Sequence, residues 1–435
     1  MKHIGIDIGT SSICGVVYDD ATAQVKSITK ANGAAIEGGP AWSFRQDPER
    51  ILAITRQLLD ELMEPGVASV GFSGQMHGML YVDAGGRAVS PLYTWQDGSA
   101  AQPVPDGNDK SYARWLSELT GYEVSTGYGL ATHFYNISTG SVPETAEKLC
   151  TVMDFVAMSL CGQASPVCEP SNAASLGLFD KRALQFDPEA LAKAGIDSAI
   201  LPEVCPAGTV VGHYKGIPVY VPIGDNQAAF LGSVRDKSST VHVTIGTSSQ
   251  ISVYTDKFVE VPQLDTRPLP GGGYILVGAA LCGGVSFAML KDFYADVVES
   301  FTGAKPSDKE LYDKMCGTAA AETDGLSVRT TFSGTRREPS LRGEISGIDL
   351  RNLTPGRLTT ALLKGICREL KDFYDCLPED MRSGRRTVTG SGNGLRKNTL
   401  LQDLLSETFA LPLELTSHEE EAALGASITC SLSKD

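Results

Sequence analysis

The pentapeptide Ile8-Gly9-Thr10-Ser11-Ser12 returns unchanged as Ile245-Gly246-Thr247-Ser248-Ser249, a spacing of 237 residues (8 to 245). Each copy follows a short alternating run, His3-Ile4-Gly5-Ile6-Asp7 in the first case and Val241-His242-Val243-Thr244 in the second. Each also precedes a second β-rich run, Ile13 to Tyr18 and Ile251 to Tyr254. Strand, Gly-Thr-Ser turn, strand is a hairpin pattern. A chance pentapeptide match is the plain alternative, and the matching strand context argues against it. One such hairpin near the start of each half of a 435-residue chain predicts two related domains. The joint is expected near Pro218 to Gly224, giving domains of 1–222 and 223–435.

Between and after the repeats, strands and helices alternate. Val67 to Phe72 reads as a strand; Pro48 to Met63, Thr360 to Tyr374 and Leu395 to Phe409 carry the apolar spacing of amphipathic helices. Gln102 to Asp109 and Leu269 to Gly273 read as loops. The alternation predicts α/β layers.

The bulk properties narrow the function. A formal net charge of −15 disfavours nucleic acid and anionic membrane as partners, since both need basic surface. An anionic ligand would then have to be held locally, by backbone N–H groups and helix ends. The chain runs from Met1-Lys2-His3 straight into a strand pattern, with no secretory signal expected. The longest apolar stretch, Ile275 to Leu290, is short for a span and carries three glycines, so no membrane helix is expected. Ten cysteines without a Cys-x-x-Cys pair read as reduced thiols of a cytoplasmic protein, and a structural zinc site is disfavoured.

A polyphosphate needs backbone N–H groups and hydroxyls brought close to its oxygens. Glycine permits the approach, and Thr or Ser adds donors. Gly9-Thr10-Ser11-Ser12 and Gly246-Thr247-Ser248-Ser249 both meet this need, and two such hairpins facing one another would grip a nucleotide triphosphate. Singly, a Gly-Thr-Ser turn is usually only a turn. No Gly-x-x-x-x-Gly-Lys-[Ser/Thr] loop and no Gly-x-Gly-x-x-Gly after a strand is present. Asp7, two residues before Gly9, is placed to hold Mg²⁺ through water, or merely to cap a loop. Gly390-Ser391-Gly392-Asn393-Gly394 follows a β-like run and would let a flat base lie against the backbone, though a Gly-rich turn into a helix is common.

Asp7-x-Gly9-Thr10-Ser11, Thr244-x-Gly246-Thr247-Ser248 and Gly390-Ser391-Gly392-Asn393 resemble, in order and spacing, the two phosphate motifs and the adenosine motif of the FGGY carbohydrate kinases. Between them, Ser73-Gly74-Gln75-Met76-His77-Gly78 and Thr94-Trp95-Gln96-Asp97 resemble that family's sugar-contacting loops. Gly224-Asp225-Asn226-Gln227-Ala228 resembles its catalytic-Asp segment. The resemblance spans essentially the whole chain. It implies the two-domain actin/hexokinase-type, ribonuclease H-like α/β fold with an interdomain ATP and sugar cleft. Closure about a hinge near residue 222 follows from the same resemblance, because an open cleft would let water accept the phosphate.

The same resemblance implies the roles. Asp225 would be the general base that takes the proton of the sugar hydroxyl; read alone, it is equally a helix N-cap. Gln75, Met76, His77, Trp95, Asp97, Asp154 and Asn172 would hold the sugar together with Asp225. Thr10, Ser11, Gly246, Thr247, Ser248, Gly283, Gly284, Gly390 and Asn393 would hold ATP, with Gly283-Gly284 a close-packed turn on the plain reading. Asp7 would organise Mg²⁺. Gln75-Met76-His77-Gly78 resembles members acting on xylulose and sedoheptulose rather than glycerol. Ser125 to Thr132 and Asn172 lean towards sedoheptulose, with xylulose as runner-up. Family members are often homodimers. Two other classes stay open: an actin-like ATPase without a sugar, and a protein that senses sugar and ATP without transfer.

Overall fold

β-Branched residues at every second position build the first strand of the chain. In β1 (Lys2–Ile8), Ile4, Ile6 and Ile8 are fully buried on one face. The computed structural model describes residues 1–105, 110–335, 338, 340–430 and 432. Residues 106–109 of the predicted Gln102–Asp109 loop lie outside these. The chain packs into two units.

The first unit comprises Met1–Gly232, Arg267–Tyr274 and Glu420–Asp435. Its main sheet uses β1, β2 (Ser12–Asp19), β3 (Gln24–Ala31), β4 (Val67–Gly74), β5 (Val210–Tyr214), β6 (Ile217–Tyr220) and β7 (Ile223–Gly224). The order is β5-β6-β4-β1-β2-β3, with β7 also on β4. β1 and β2 form the expected antiparallel hairpin, with Ile8 opposite Ile13. β4 runs parallel to β1, with Asp7 beside Ser73 and Ile8 beside Gly74. β7 runs parallel to the end of β4, with Ile223 beside Ser73 and Gly224 beside Gly74. The C-terminal ends of β1, β4 and β7 therefore meet at one place. Open α/β sheets bind ligands at such strand ends.

The helix Pro48–Leu62 starts at Asp47, whose carboxylate accepts from Glu49 N and Arg50 N, and ends one residue before the predicted Met63. It buries Ile51, Leu52, Thr55, Leu58, Leu59 and Leu62, a stripe of helical period, in a core shared with Ile4, Ile6 and Phe72. The helix Glu421–Thr429 packs on β1 and β4. A Cβ added at Gly5 would stand 1.9 Å from Ala423 O, and one at Gly71 would stand 2.1 Å from Ala426 O.

The second unit comprises Ser233–Thr266 and Ile275–Glu419. Its sheet holds β8 (Thr240–Ile245), β9 (Ser249–Thr255), the part of β10 (Asp265–Pro268) up to Thr266, the part of β11 (Tyr274–Ala280) from Ile275, β12 (Thr387–Ser391) and β13 (Leu413–Leu415), in the order β10-β11-β9-β8-β12-β13. β8 and β9 form the second antiparallel hairpin, and β12 runs parallel to β8. The helix Pro355–Asp375 extends beyond the predicted Thr360–Tyr374 and buries Leu358, Leu362, Ile366 and Leu370 against Val241, Val243 and Ile251. The helix expected over Leu395–Phe409 is two, Asn393–Arg396 and Thr399–Phe409. The break falls at Asn398, whose side chain caps the second helix by accepting from Leu401 N. Among the described residues no helix is long and apolar enough to cross a membrane.

Candidate active site

In the first unit the three strand ends carry the three segments singled out from the sequence. Thr10 lies in the turn after β1, Gln75-Met76-His77 leaves β4, and Asp225 opens the helix Asp225–Ser233 directly after β7. Asp225 is thus the first helical residue rather than a flanking cap. Its half-buried carboxyl sits where the helix dipole favours negative charge.

Asp7 is held by Ser73, whose hydroxyl donates to Oδ1 over 2.8 Å. Burial pushes the Asp7 carboxyl up to about 6, the Ser73 bond opposes this, and the nearby Glu420 charge adds to it. Burial, with the Asp7 charge adding to it, raises Asp225 to about 7 against the pull of Asn226 N–H and Arg267. Two buried carboxyls with raised proton affinity, one of them lifted by the charge of the other, mark a place where a cation or a proton is wanted. Among the described residues no group of three or more His, Cys, Asp or Glu side chains is gathered for a metal. One carboxylate fits Mg²⁺, which keeps most of its waters and takes its other ligands from phosphate.

Thr10 joins the hairpin to the segments that carry Gln75 and Trp95. Its hydroxyl accepts from Trp95 Nε1 at 3.0 Å and faces Gln75 Oε1 at 3.4 Å. Gln75 Nε2 donates to Gln46 Oε1 at 2.9 Å, and Gln46 Nε2 donates to Thr10 O at 2.8 Å, which closes a ring. Gln46 is buried and carries no motif by which the sequence would single it out. Trp95 is 48% exposed, a ring face open to a carbon skeleton. His77 has φ +73°, a left-handed backbone that a non-glycine residue adopts only when held. Its N–H donates to Ser175 Oγ at 3.1 Å, its Nδ1 donates to Ser175 O at 2.8 Å, and its ring stacks on Tyr128 with centroids 4.4 Å apart. Met76 is buried against Gly224; a Cβ on Gly224 would stand 2.7 Å from Met76 Sδ.

Three predicted sugar contacts are deeply buried and already engaged. Asp97 accepts from Phe44 N and Ser99 N, both at 3.1 Å, and so fixes the loop that presents Trp95. Asp154 accepts from the Thr151 hydroxyl at 2.7 Å at the start of the helix Val152–Leu160, and burial raises it to about 7. Asn172 Nδ2 donates to Pro222 O at 3.2 Å. Asp154 Oδ1 and Asn172 Oδ1 find no hydrogen-bond partner among the described residues.

In the second unit the tip residues Thr247 and Ser248 are exposed, and a Cβ on Gly246 would meet nothing within 4 Å. Gly284 N donates to Gly246 O at 2.8 Å and Gly283 N donates to Thr247 O at 3.0 Å. Gly283 and Gly284 therefore form a close-packed turn, at the N-terminus of the 19-residue helix Gly284–Thr302. Its first N–H groups are spent on the hairpin, since Val285 N also donates to Thr247 O at 3.1 Å, so what this end offers an anion is its dipole. The Ser391 hydroxyl lies 2.8 Å from Thr244 Oγ1 and 3.1 Å from His242 Nε2, which ties the adenosine-like segment to β8. Asn393, the first residue of its helix, is exposed. Gly390 has no room for a side chain, since a Cβ would stand 2.5 Å from Leu395 Cδ2.

A solved xylulose kinase from Rhodospirillum rubrum superposes with a TM-score of 0.84 at 19% identity, over 100% of this chain and 90% of that one. Residues 3–240 match the N-terminal domain of the FGGY family of carbohydrate kinases, and residues 241–433 match its C-terminal domain. The protein is a carbohydrate kinase, with ATP as co-substrate. Sedoheptulokinase from Mus musculus is 28% identical over 98% of this chain and 96% of its own, and the Homo sapiens sedoheptulokinase matches equally. The chain belongs to the FGGY family of carbohydrate kinases.

Proposed function

We propose that the protein transfers the γ-phosphoryl group of ATP to the terminal hydroxyl of a ketose, with sedoheptulose as substrate, giving sedoheptulose 7-phosphate. The observation that carries this reading is Asp225 at the opening of its helix, beside Asp7, at the strand ends that also present Thr10 and Gln75. The similarity to two sedoheptulokinases supports the choice of sugar.

Asp225 accepts the proton of the hydroxyl as its oxygen attacks the γ-phosphorus. A carboxylate raised to about 7 is matched to that transfer near neutral pH. Gln75, Met76, His77, Trp95, Asp97, Asp154 and Asn172 shape the sugar side, some through the loops that they fix. Thr10 and Ser11 bind phosphate on the first hairpin, with Gly246, Thr247 and Ser248 on the second. Gly283, Gly284, Gly390 and Asn393 serve the nucleotide. Mg²⁺, organised by Asp7, would neutralise charge on the phosphates. In sequence terms the division is 1–222 for the sugar loops and first hairpin, and 223–435 for Asp225, the second hairpin and the adenosine segment. A cytoplasmic homodimer is the assembly in keeping with the family resemblance and with ten free thiols.

The deciding experiment is ADP release by the purified protein with Mg·ATP across sedoheptulose, xylulose, ribulose, fructose and glycerol, with a no-sugar control. Sedoheptulose ahead by about tenfold in kcat/KM, a difference near 1.4 kcal/mol, upholds the reading. A lead for xylulose moves the substrate to the five-carbon ketose. No stimulation by any sugar, with sugar binding retained, would mean a sensor.

A further inference from the structure

Glu169 is 2% exposed, carries no role in the scheme above, and lies one short link from the proposed base. Its Oε2 accepts from Ser171 N at 2.7 Å and from the Ser171 hydroxyl. With its single proton committed to Glu169, the Ser171 oxygen serves as an acceptor, and it takes Gly224 N–H at 3.0 Å. Gly224 is the residue before Asp225. The adjoining carbonyl, Pro222 O, is held by Asn172 Nδ2 at 3.2 Å. The segment 222–224 thus hangs from the helix Pro170–Leu176 on one side and pairs with Ser73 and Gly74 of β4 on the other. The β4 side also presents Ser73 to Asp7.

We propose that Glu169 and Ser171 are positioning residues that set the aim of the Asp225 carboxylate through the Gly224 N–H. Glu169 orders the Ser171 hydroxyl, whose lone pair then fixes the peptide from which the catalytic helix starts. Neither side chain touches the reactants. Each donor along the line from Gly224 through Ser171 to Glu169 meets its acceptor, an ordering that favours a single geometry. Loss of the hydroxyl leaves Gly224 N–H without its acceptor and lets the segment shift. Displacements of about 1 Å at a reacting group cost on the order of a hundredfold in rate.

This inference rests on Asp225 as the base, and the test separates the two. Steady-state kcat and sugar KM are measured for Ser171→Ala, Glu169→Gln, Asp225→Asn and the Ser171→Ala/Asp225→Asn double variant, with thermal unfolding of each as the check on folding. Ser171→Ala is expected to lower kcat by about ten- to a hundredfold, with sugar KM moved by less than about threefold. On the Asp225→Asn background the same change should have almost no further effect, because there is no base left to aim. Glu169→Gln keeps an acceptor for the Ser171 hydroxyl. It should retain most of kcat, and it carries the test if Ser171→Ala does not fold, in which case a tenfold loss counts against the relay. Parental kcat in Ser171→Ala, or an equal loss on both backgrounds, overturns the positioning role and leaves the base assignment standing. Parental turnover in Asp225→Asn removes the base assignment and this inference with it.

Discussion

Trp95 Nε1 donates to the hydroxyl of Thr10 across 3.0 Å, joining a side chain of the loop proposed to hold the sugar to the turn of the first hairpin. Replacing Trp95 by Phe keeps a ring face and removes the donor. A hydrogen bond of this kind contributes about 1 kcal/mol net. KM values for sugar and for Mg·ATP should therefore both rise by about fivefold. Movement of the sugar value alone would place the tryptophan on the sugar without any bearing on the hairpin.

Asp225→Asn preserves shape and removes the basic oxygen. With sugar saturating, kcat should fall by about 10²- to 10⁴-fold, the share general-base catalysis commonly carries. Sugar affinity, measured by calorimetry without nucleotide, should change far less. A variant that turns over within a few-fold of the parent would reassign the proton acceptor.

Because burial and Asp7 raise Asp225 to about 7, the carboxylate that the proposed mechanism uses forms only as pH climbs through that value. The kcat/KM of the parent should rise through pH 7 and level off above it, as expected when one essential group must lose a proton. In Asp225→Asn the residual activity should lose this rising limb. A limb unchanged in position would assign it to another group.

Asp154 and Glu169 are each raised to about 7 by burial, whereas exposed carboxyls titrate near 4. Between those values the folded chain binds more protons than the unfolded chain. Stability drawn from these two sites is therefore full below about pH 4, falls as pH rises to about 7, and is level above it. The melting temperature of Asp154→Asn, followed by differential scanning calorimetry at pH 5 and pH 8, should differ less between the two conditions than that of the parent. An unchanged difference would show that Asp154 does not contribute to the slope.

Gly71→Ala sets a methyl 2.1 Å from Ala426 O, so the helix Glu421–Thr429 must lift from β4. Overpacking against backbone costs about 3 kcal/mol or more, and urea unfolding should report a loss of that size. Gly384→Ala, where a Cβ meets nothing within 4 Å and the backbone is in the ordinary right-handed region, should change stability by less than about 1 kcal/mol.

How much of this was legible in the sequence depends on how local each feature is. The two hairpins were readable because alternation at Ile4, Ile6 and Ile8, and at Val241 and Val243, is written within a few residues of a Gly-Thr-Ser turn. The helix break at Asn398 was not: apolar spacing runs across it, and only the cap on Leu401 N decides. The parallel meeting of β1, β4 and β7 joins segments far apart in the chain, and no local pattern sets that register. The motif residues of the site came from resemblance, which names positions and not contacts. Asp97 shows the difference: its carboxylate is spent on two backbone amides, which its chemistry as a polyol acceptor did not suggest. Gln46 and Glu169 carry no motif: Gln46 meets Gln75 29 residues away, and Glu169 acts through Ser171 on a peptide of another strand.

The helix Glu421–Thr429 belongs to the same unit as Met1, and its carbonyls rest directly over Gly5 and Gly71. On the ribosome the first strands emerge long before the helix that covers them. The early unit waits, with one face of β1 and β4 bare, until translation of the intervening unit is over. A premature stop anywhere upstream of Glu421 releases a chain whose earliest-made part is the incomplete one, and such a fragment is a client for chaperones and proteases rather than half of a working kinase.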